Sequence, residues 1–284
     1  RMTGLPEGLH GVIQDSASGA ILCALLTARE KATGWTSNAE GMASSVSVVA
    51  YTSEQAHSAT EKGAKIAGYG KANVRLIETD ENFAMRPEAL RTAIEADRAG
   101  GRIPTCVVAS MGTTGVGAVD PLRPIGEICR DHDVFLHVDA AWGGSALILP
   151  EERGMADGVE LVDSLVFNPH KWLMTNFDCS AHYVKDPDAL IRTLSILPEF
   201  LKSREQGQII DYRDWSVPLG RRFRALKLWF VIRSHGVEGL RKILRRHIAL
   251  AREAEGWIAE TADFEIVAAR SLALFNFRYR PSRV

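Results

Sequence analysis

The sequence predicts an α/β protein, built on a mostly parallel sheet with helices on both faces. The first observation is that strand-like and helix-like stretches alternate from about residue 46 to residue 185, which is typical of parallel sheets joined by helices. The second is the composition. With 46% hydrophobic and 24% charged side chains, 284 residues can bury one large core or two smaller ones. We see no internal repeat and no low-complexity tract.

The elements of this sheet can be placed in chain order. The first helix is expected over Ala20 to Lys31, with Ser16 or Ser18 as its cap. Residues 1–11 and 32–45 are expected to be loops, because they are rich in glycine and small polar side chains. The further expected strands are 46–51, 74–79, 104–110, 134–138, 161–167 and 179–184, and the further expected helices are 53–67, 87–99 and 120–132.

A second, smaller unit is expected after the sheet. Residues 194–210 mix polar and apolar side chains around a central proline, which predicts a mobile loop. A helix then reaches about His235, and Gly236-Val237 separates it from a long amphipathic helix over 238–261. Residues 264–279 follow the pattern of strand, turn and strand. We therefore expect a large domain over residues 1–235 and the start of a small α+β domain over residues 236–284.

Lys171 is the residue on which the expected chemistry depends. It follows Asn168-Pro169-His170, and Pro169 ends a strand-like run because proline has no N–H for the ladder. Lys171 then emerges at a strand end, where open α/β sheets bind ligands. A single lysine is usually a solvated charge, but the apolar flanks predict a buried lysine with a lowered pKa. Such an amine is a nucleophile for carbonyls, as a Schiff base with pyridoxal phosphate requires.

Other candidate groups are expected at neighbouring strand ends. Asp139 follows the strand over 134–138, where a carboxylate can cap a helix or pair with a pyridinium nitrogen. His57 is expected in the first turn of a helix; a lone histidine is more often structural, but this corner makes it a candidate. The start of the first helix can form an anion site or simply a capped helix. Close approach of a flat ring to the backbone is expected at Ala140, Ala141, Gly143 and Gly144.

Several classes of protein are not indicated. The net charge of −1 gives no general affinity for nucleic acid or an anionic membrane. The glycines of 112–117 resemble a dinucleotide loop, but their spacing is wrong and no helix follows at once. No apolar run approaches the roughly 18 residues of a membrane span, and the first residues do not form a signal peptide. Buried reduced thiols in a cytoplasmic protein, and no metal site, are expected from the separated Cys23, Cys106, Cys129 and Cys179.

Motifs along the whole chain resemble the aromatic-L-amino-acid decarboxylase family, also called the group II pyridoxal-phosphate decarboxylases. The matching stretches are GVIQDSAS, AYTSEQAHSATEK, MGTTG, HVDAAWGGSA, FNPHKWLMTNFDCSA and DYRDWSVPLGRRFRALKLWF. The resemblance implies a large domain of the pyridoxal-phosphate-dependent aminotransferase-like fold and a homodimer with sites at the subunit interface. It further implies that an N-terminal helical segment and most of the small domain lie outside this sequence.

The resemblance also implies roles for individual residues. Lys171 resembles the Schiff-base lysine, Asp139 the partner of the pyridine nitrogen, and His57 the imidazole that stacks on the ring. The remaining matches surround the cofactor: Thr114 and Ala141 would line it, and its phosphate would be held by Ala17, Ser18, Ser164 and Asn168, with His170 beside it.

The implied reaction converts a small amino-acid substrate, expected to be aromatic, to its amine and CO2 through a Schiff base on Lys171. In amine-forming members of the family, a loop tyrosine protonates the substrate Cα in the neighbouring subunit's site. Phe200 stands at the matching position here, and phenylalanine has no proton to donate.

Three hypotheses therefore remain open. The first is an amine-forming decarboxylase, in which His57 or a water could supply the proton. The second is an aromatic aldehyde synthase, since members of that kind carry phenylalanine at this place and a longer-lived carbanion can meet oxygen. The third is an inactive member or fragment that serves as a binding or dimerisation module. We rank plain decarboxylation first, because the resemblance covers the whole chain and the switch depends on one residue.

Overall fold

The computed structural model describes residues 2–43, 46–196 and 210–281 of the protein. The strands in these ranges are β1 (His10–Gln14), β2 (Val48–Ser53), β3 (Val74–Ile77), β4 (Ile103–Ser110), β5 (Phe135–Asp139), β6 (Ser164–Phe167), β7 (Ser180–Val184), β8 (Phe264–Ser271) and β9 (Leu274–Tyr279). The helices are α1 (Ala17–Ala32), α2 (Ser37–Glu40), α3 (Ala59–Ile66), α4 (Pro87–Ala99), α5 (Leu122–Asp131), α6 (Pro169–Trp172), α7 (Pro187–Leu194) and α8 (Arg224–Glu260). None of these helices combines the length and the apolar character needed to cross a membrane.

The mostly parallel sheet is confirmed. Its strand order is β1-β7-β6-β5-β4-β2-β3, and the neighbours from β3 to β6 are parallel. Strand β7 is antiparallel to both β6 and β1. The expectation of a loop over residues 1–11 is wrong at its end, because His10 begins β1. Pairing from His10↔Val184 to Gln14↔Ser180 satisfies backbone groups of β7 that would otherwise lie at an open sheet edge.

Helices cover both faces of the sheet, as the alternation of elements predicts. In β4, Val107 and Ala109 pack in one core cluster with side chains of α4, α5 and α8. Cys106 and Val108 pack in another cluster with side chains of α1 and α3. Successive strand residues point to opposite faces, so β4 is buried on both sides, as strands of parallel sheets are.

Helix α8 changes direction at Gly236, where φ is 65° and ψ is 170°. Glycine adopts this left-handed φ without the steric penalty of a Cβ. The expected break between two helices is therefore confirmed. After the break, Leu240 and Leu244 pack into the same core as β4, and the hairpin of β8 and β9 follows as expected. The division into domains at residue 236 stays a prediction.

The carboxyl ends of four parallel strands meet at one edge of the sheet. Ser53, Ser110, Asp139 and Phe167 are the last residues of β2, β4, β5 and β6. Ser110 pairs with Asp139 across neighbouring strands, so side chains that follow these ends are brought together. Crevices at such edges are where open α/β sheets bind ligands.

Candidate active site

A cavity of about 270 Å³ lies at this carboxyl edge. Lys171, Asp139 and His57 line it, so the structure brings together the three groups that the sequence placed at strand ends. Six further candidates also line the cavity: Ala17, Ser18, Thr114, Ala141, Asn168 and His170.

Lys171 lies on the short helix α6, directly after β6. Its backbone N–H donates to the carbonyl of Asn168 at 2.9 Å. The expectation that Lys171 is buried is wrong, because its side chain is exposed. The next residue, Trp172, takes the buried position and is only 6% exposed. Adjacent helical side chains point about 100° apart, so burying Trp172 in the core turns Lys171 toward the cavity.

Asp139 is the last residue of β5 and its carboxylate accepts a hydrogen bond from the Ala141 N–H at 3.0 Å. Burial raises the pKa of Asp139 above its ordinary value, and the Ala141 amide, Lys171 and His57 oppose this rise. A cationic ligand group beside Asp139 would favour the ionised carboxylate in the same way.

His57 lies in a turn that precedes helix α3. His57 was expected in the first turn of this helix. The helix begins at Ala59, so His57 lies two residues before it. The backbone N–H of Ala59 donates to Nδ1 of His57 at 3.1 Å. The ring thus accepts a hydrogen bond from the first residue of the helix, although His57 itself lies before the helix. This contact leaves Nε2 as the nitrogen that a ligand can reach.

The start of α1 lines the cavity through Ser16, Ala17 and Ser18. Ser16 caps the helix, since its Oγ accepts a hydrogen bond from the Gly19 N–H at 3.1 Å. The first amides of any helix have no carbonyl partner within the helix, and here they belong to Ala17 and Ser18. The positive end of the helix dipole adds to their attraction for a phosphate.

The side chain of Asn168 accepts a hydrogen bond from Ser180, a residue that was not predicted from the sequence. Ser180 on β7 donates from Oγ to Oδ1 of Asn168 at 2.6 Å, and both residues are buried. With Oδ1 engaged, Asn168 offers its Nδ2 hydrogens to a ligand. Only the antiparallel pairing of β7 with β6 brings Ser180 to this place, and no local sequence signal marks it.

Ser164 does not line this cavity. It begins β6, at the opposite end of the strand from Asn168, and its Oγ lies 2.6 Å from Nδ1 of the buried His137. The residue is fully buried in the sheet. We therefore leave Ser164 out of the proposed phosphate cradle.

Gly143 and Gly144 also have a different place from the expected one. Both are buried, and a Cβ on Gly143 would lie 2.4 Å from the carbonyl oxygen of Met111. A Cβ on Gly144 would lie 2.5 Å from the Cβ of Phe167. These glycines allow close packing behind the cavity, whereas Ala141 lines the cavity itself.

Two aromatic side chains in the cavity wall were not predicted. Trp142 stacks on Trp172 with the ring centroids 5.0 Å apart. The ring of Phe177 lies 4.7 Å from that of His170 and is 77% exposed. Phe200, the residue on which the aldehyde hypothesis depends, lies outside the described residues, as does most of the expected loop over 194–210.

The topology and the cavity define an α/β protein in which the described lining residues include the amine of Lys171, the carboxylate of Asp139 and the first residues of helix α1. The chain belongs to the family of pyridoxal-dependent decarboxylases. Residues 1–280 match the family model described as the pyridoxal-dependent decarboxylase conserved domain.

Relatives of known name are similar over nearly the whole chain. Phenylacetaldehyde synthase of Arabidopsis thaliana is 46% identical over 275 residues, which are 95% of this chain and 55% of that protein. Aromatic-L-amino-acid decarboxylase of Cavia porcellus is 47% identical over 278 residues, 96% of this chain and 57% of that protein. The crystal structure of Oryza sativa TDC with PLP and tryptamine superposes with a TM-score of 0.94 at 39% identity, covering 98% of this chain and 59% of that one. The chain thus spans less than two thirds of the length of each relative.

Proposed function

We propose that this chain forms the cofactor-binding part of a pyridoxal-phosphate-dependent decarboxylase that converts an aromatic L-amino acid to its amine and CO2. The observation that carries this proposal is the convergence of Lys171, Asp139 and the start of α1 on one cavity. Family membership and the names of the relatives support it.

The lining residues fit pyridoxal phosphate. Among the lining residues that the structure describes, Lys171 is the only primary amine and Asp139 the only carboxylate. Burial disfavours the ionised form of Asp139, and a protonated ring nitrogen is the kind of group that would restore it. The amides of Ala17 and Ser18 together with Asn168 would hold the phosphate.

When bound, pyridoxal phosphate would supply an aldehyde for an amine and a ring that accepts the electron pair left when the bond from Cα to the carboxylate breaks. Lys171 would provide that amine in the resting protein. Asp139 would keep the proton on the ring nitrogen. Nε2 of His57 is the ring atom available to carry a proton to Cα, since Nδ1 accepts the Ala59 amide. The wall formed by Trp142 would exclude water from one side of the cavity, which favours loss of a charged carboxylate.

We further propose a homodimer with the site near the subunit interface. The first half of α8 and the segment before it expose large apolar side chains, and exposed apolar patches mark interaction surfaces. Val217, Leu219, Phe223, Trp229 and Phe230 are between 54% and 75% exposed. Light scattering of the purified protein measures the oligomeric state.

The four cysteines are buried free thiols, which supports the prediction of a reducing, cytoplasmic compartment.

The cofactor proposal is tested on a full-length protein that contains this chain. Pyridoxal phosphate is added, the complex is reduced with borohydride, and peptide masses are mapped. We expect the pyridoxyl group on Lys171, and its loss together with turnover in Lys171→Ala. Lys185→Ala is the matched control, because Lys185 lies on the surface beside the carbonyl of Glu160. Label on another lysine would contradict the proposal, and absence of both label and turnover in the parent would favour the binding-module hypothesis.

An aromatic aldehyde synthase is the second candidate. Phe200 and the similarity to a phenylacetaldehyde synthase favour it. That reaction consumes one O2 and one water per amino acid and yields the aldehyde, CO2, ammonia and hydrogen peroxide. A panel of aromatic amino acids is therefore assayed for amine, aldehyde, CO2 and peroxide together. Amine equal to CO2 supports the decarboxylase, whereas peroxide equal to CO2 with little amine supports the synthase.

A further inference from the structure

His170 is joined to Cys179 by two hydrogen bonds, one from its backbone and one at its ring. Its backbone N–H donates to the carbonyl of Cys179 at 3.2 Å, and the N–H of Cys179 donates to Nδ1 of His170 at 2.8 Å. Because a backbone N–H is always a donor, Nδ1 must present its lone pair and carry no proton. In the neutral ring, the proton is then on Nε2.

The neutral ring is also the favoured one. Burial lowers the pKa of His170, and the positive charge of Lys171 lowers it further. Since His170 lines the cavity and Nδ1 faces the backbone of Cys179, the opposite ring nitrogen is left for a ligand. A neutral Nε2–H is a donor without a positive charge, suited to an anionic oxygen.

The segment that fixes this ring is itself tied to helix α8. Asp178, next to Cys179, is 8% exposed. Its Oδ2 accepts two hydrogen bonds from Arg224, at 3.0 and 2.8 Å, and its Oδ1 accepts one from Lys227 at 3.3 Å. Arg222 adds a longer ion pair at 3.6 Å.

This arrangement concentrates positive charge around one nearly buried carboxylate. The pair with Arg224 is charge-assisted and largely shielded from solvent, so it is stronger than a surface ion pair. Loss of the Asp178 charge would leave its cations unpaired and release the backbone from α8. The amide of Cys179, one residue away, would then lose its fixed direction toward His170.

We propose that Asp178 is a positioning residue that holds His170 in one tautomer, with the Nε2–H directed into the cavity as a donor to an anionic oxygen. The identity of that oxygen depends on the proposed function, where it belongs to the cofactor phosphate or the substrate carboxylate. The fixed tautomer itself does not depend on it.

The first experiment measures the tautomer in the cofactor-free full-length protein. Two-bond ¹H–¹⁵N spectra of protein labelled at histidine distinguish the two ring nitrogens, and His170→Gln identifies the signals of His170. We expect an unprotonated Nδ1 and a protonated Nε2 in the parent. Asp178→Asn should shift both signals toward the average of exchanging tautomers. Lys227→Met, which removes one cation and keeps Arg224, is expected to produce a smaller shift and serves if Asp178→Asn does not fold.

Glu151→Gln is the matched control for this experiment. Glu151 pairs with Arg245 on the same helix α8, at 2.6 and 3.0 Å, but on an exposed surface. It should leave both ring nitrogens of His170 unchanged. An unchanged tautomer in folded Asp178→Asn would overturn the proposal, as would equal shifts in Asp178→Asn and Glu151→Gln. These spectra require no turnover, so this result is separate from any failure of the proposed function.

The second experiment asks which nitrogen of His170 serves the ligand. The amide nitrogen of glutamine reaches the place of Nε2, and that of asparagine the place of Nδ1. We expect the loss in pyridoxal-phosphate affinity, or in KM or kcat, to be about ten to 100 times larger in His170→Asn than in His170→Gln. Small misplacements of a contact at the reacting site have effects of this order. A loss in pyridoxal-phosphate affinity assigns the oxygen to the cofactor, and a loss in KM or kcat alone assigns it to the substrate. Equal losses in the two variants would refute the donor role of Nε2.

Discussion

Trp172 donates its indole N–H to Nδ1 of His247 at 3.0 Å. The residue directly after Lys171 is thereby joined to the second half of α8, beyond the break at Gly236. The face of the same indole ring stacks on Trp142, which lines the cavity. The position of Lys171 therefore depends on a part of the chain more than 70 residues away in sequence.

His247→Leu should destabilise the protein, because it leaves the nearly buried indole N–H of Trp172 without its acceptor. We expect a loss of about 1–3 kcal/mol in the free energy of unfolding, the usual range for such a group. Urea denaturation followed by tryptophan fluorescence measures it. His247→Gln keeps an acceptor and should lose less, so equal losses in the two variants would show that the hydrogen bond is not the cause.

Asp139→Asn should make the cofactor-free protein more stable at neutral pH while abolishing tight cofactor binding. The pKa of Asp139 is raised in the folded state, so its stabilising contribution is complete below the ordinary aspartate value and is lost as the pH rises through the raised value. Asparagine resembles the neutral form at every pH. Melting temperatures measured from pH 4 to 8 should fall more steeply for the parent than for the variant. Parallel curves would contradict the raised pKa.

Ser180→Ala should weaken cofactor binding through Asn168. The variant removes the hydroxyl that holds Oδ1, and a typical hydrogen bond contributes about 1 kcal/mol, or roughly a fivefold change in the dissociation constant. Titration with pyridoxal phosphate measures this change. Thr92→Ala is the control, because its hydroxyl binds the Glu88 carbonyl on the exposed side of α4. A change of similar size in both variants would argue against a role for Ser180.

Gly144→Ala should destabilise the fold by about 1–3 kcal/mol, the usual effect of inserting a methyl group into a packed core. The new Cβ would lie 2.5 Å from that of Phe167 and 2.9 Å from that of Ala140. Since these residues flank the ends of β5 and β6, cofactor affinity should fall as well. Gly154→Ala has nothing within 4 Å of the new Cβ and should stay within about 0.5 kcal/mol of the parent.

The residues at strand ends were the part of the site most open to prediction from sequence. Asp139 and Lys171 each follow a short apolar run, and such runs in an alternating α/β pattern end at the same edge of the sheet. The break at Gly236 was equally visible, because glycine is the residue that a left-handed φ favours.

The features that could not be predicted from the sequence depend on pairing between strands that can be far apart along the chain. Ser180 reaches Asn168 only because β7 runs antiparallel to β6, and residues 10–14 form a strand only because β7 is there to pair with. The exposure of Lys171 was mispredicted for a related reason: its flanking apolar residues are buried, but they belong to other faces of the short helix α6. Periodicity describes a segment, whereas these contacts follow from its neighbours.

The pairing of β1 with β7 has a consequence for synthesis of the protein on the ribosome. His10 and Val184 are partners, so the first strand is made long before the strand it joins. Until residues 180–184 have left the exit tunnel, both β1 and the outer side of β6 are unpaired edges, which are prone to associate with other chains. A nascent chain that stalls before this point would hold Lys171 and Asp139 but not the finished sheet behind them. Translation past β7 is therefore required before the sheet behind the pocket can be completed.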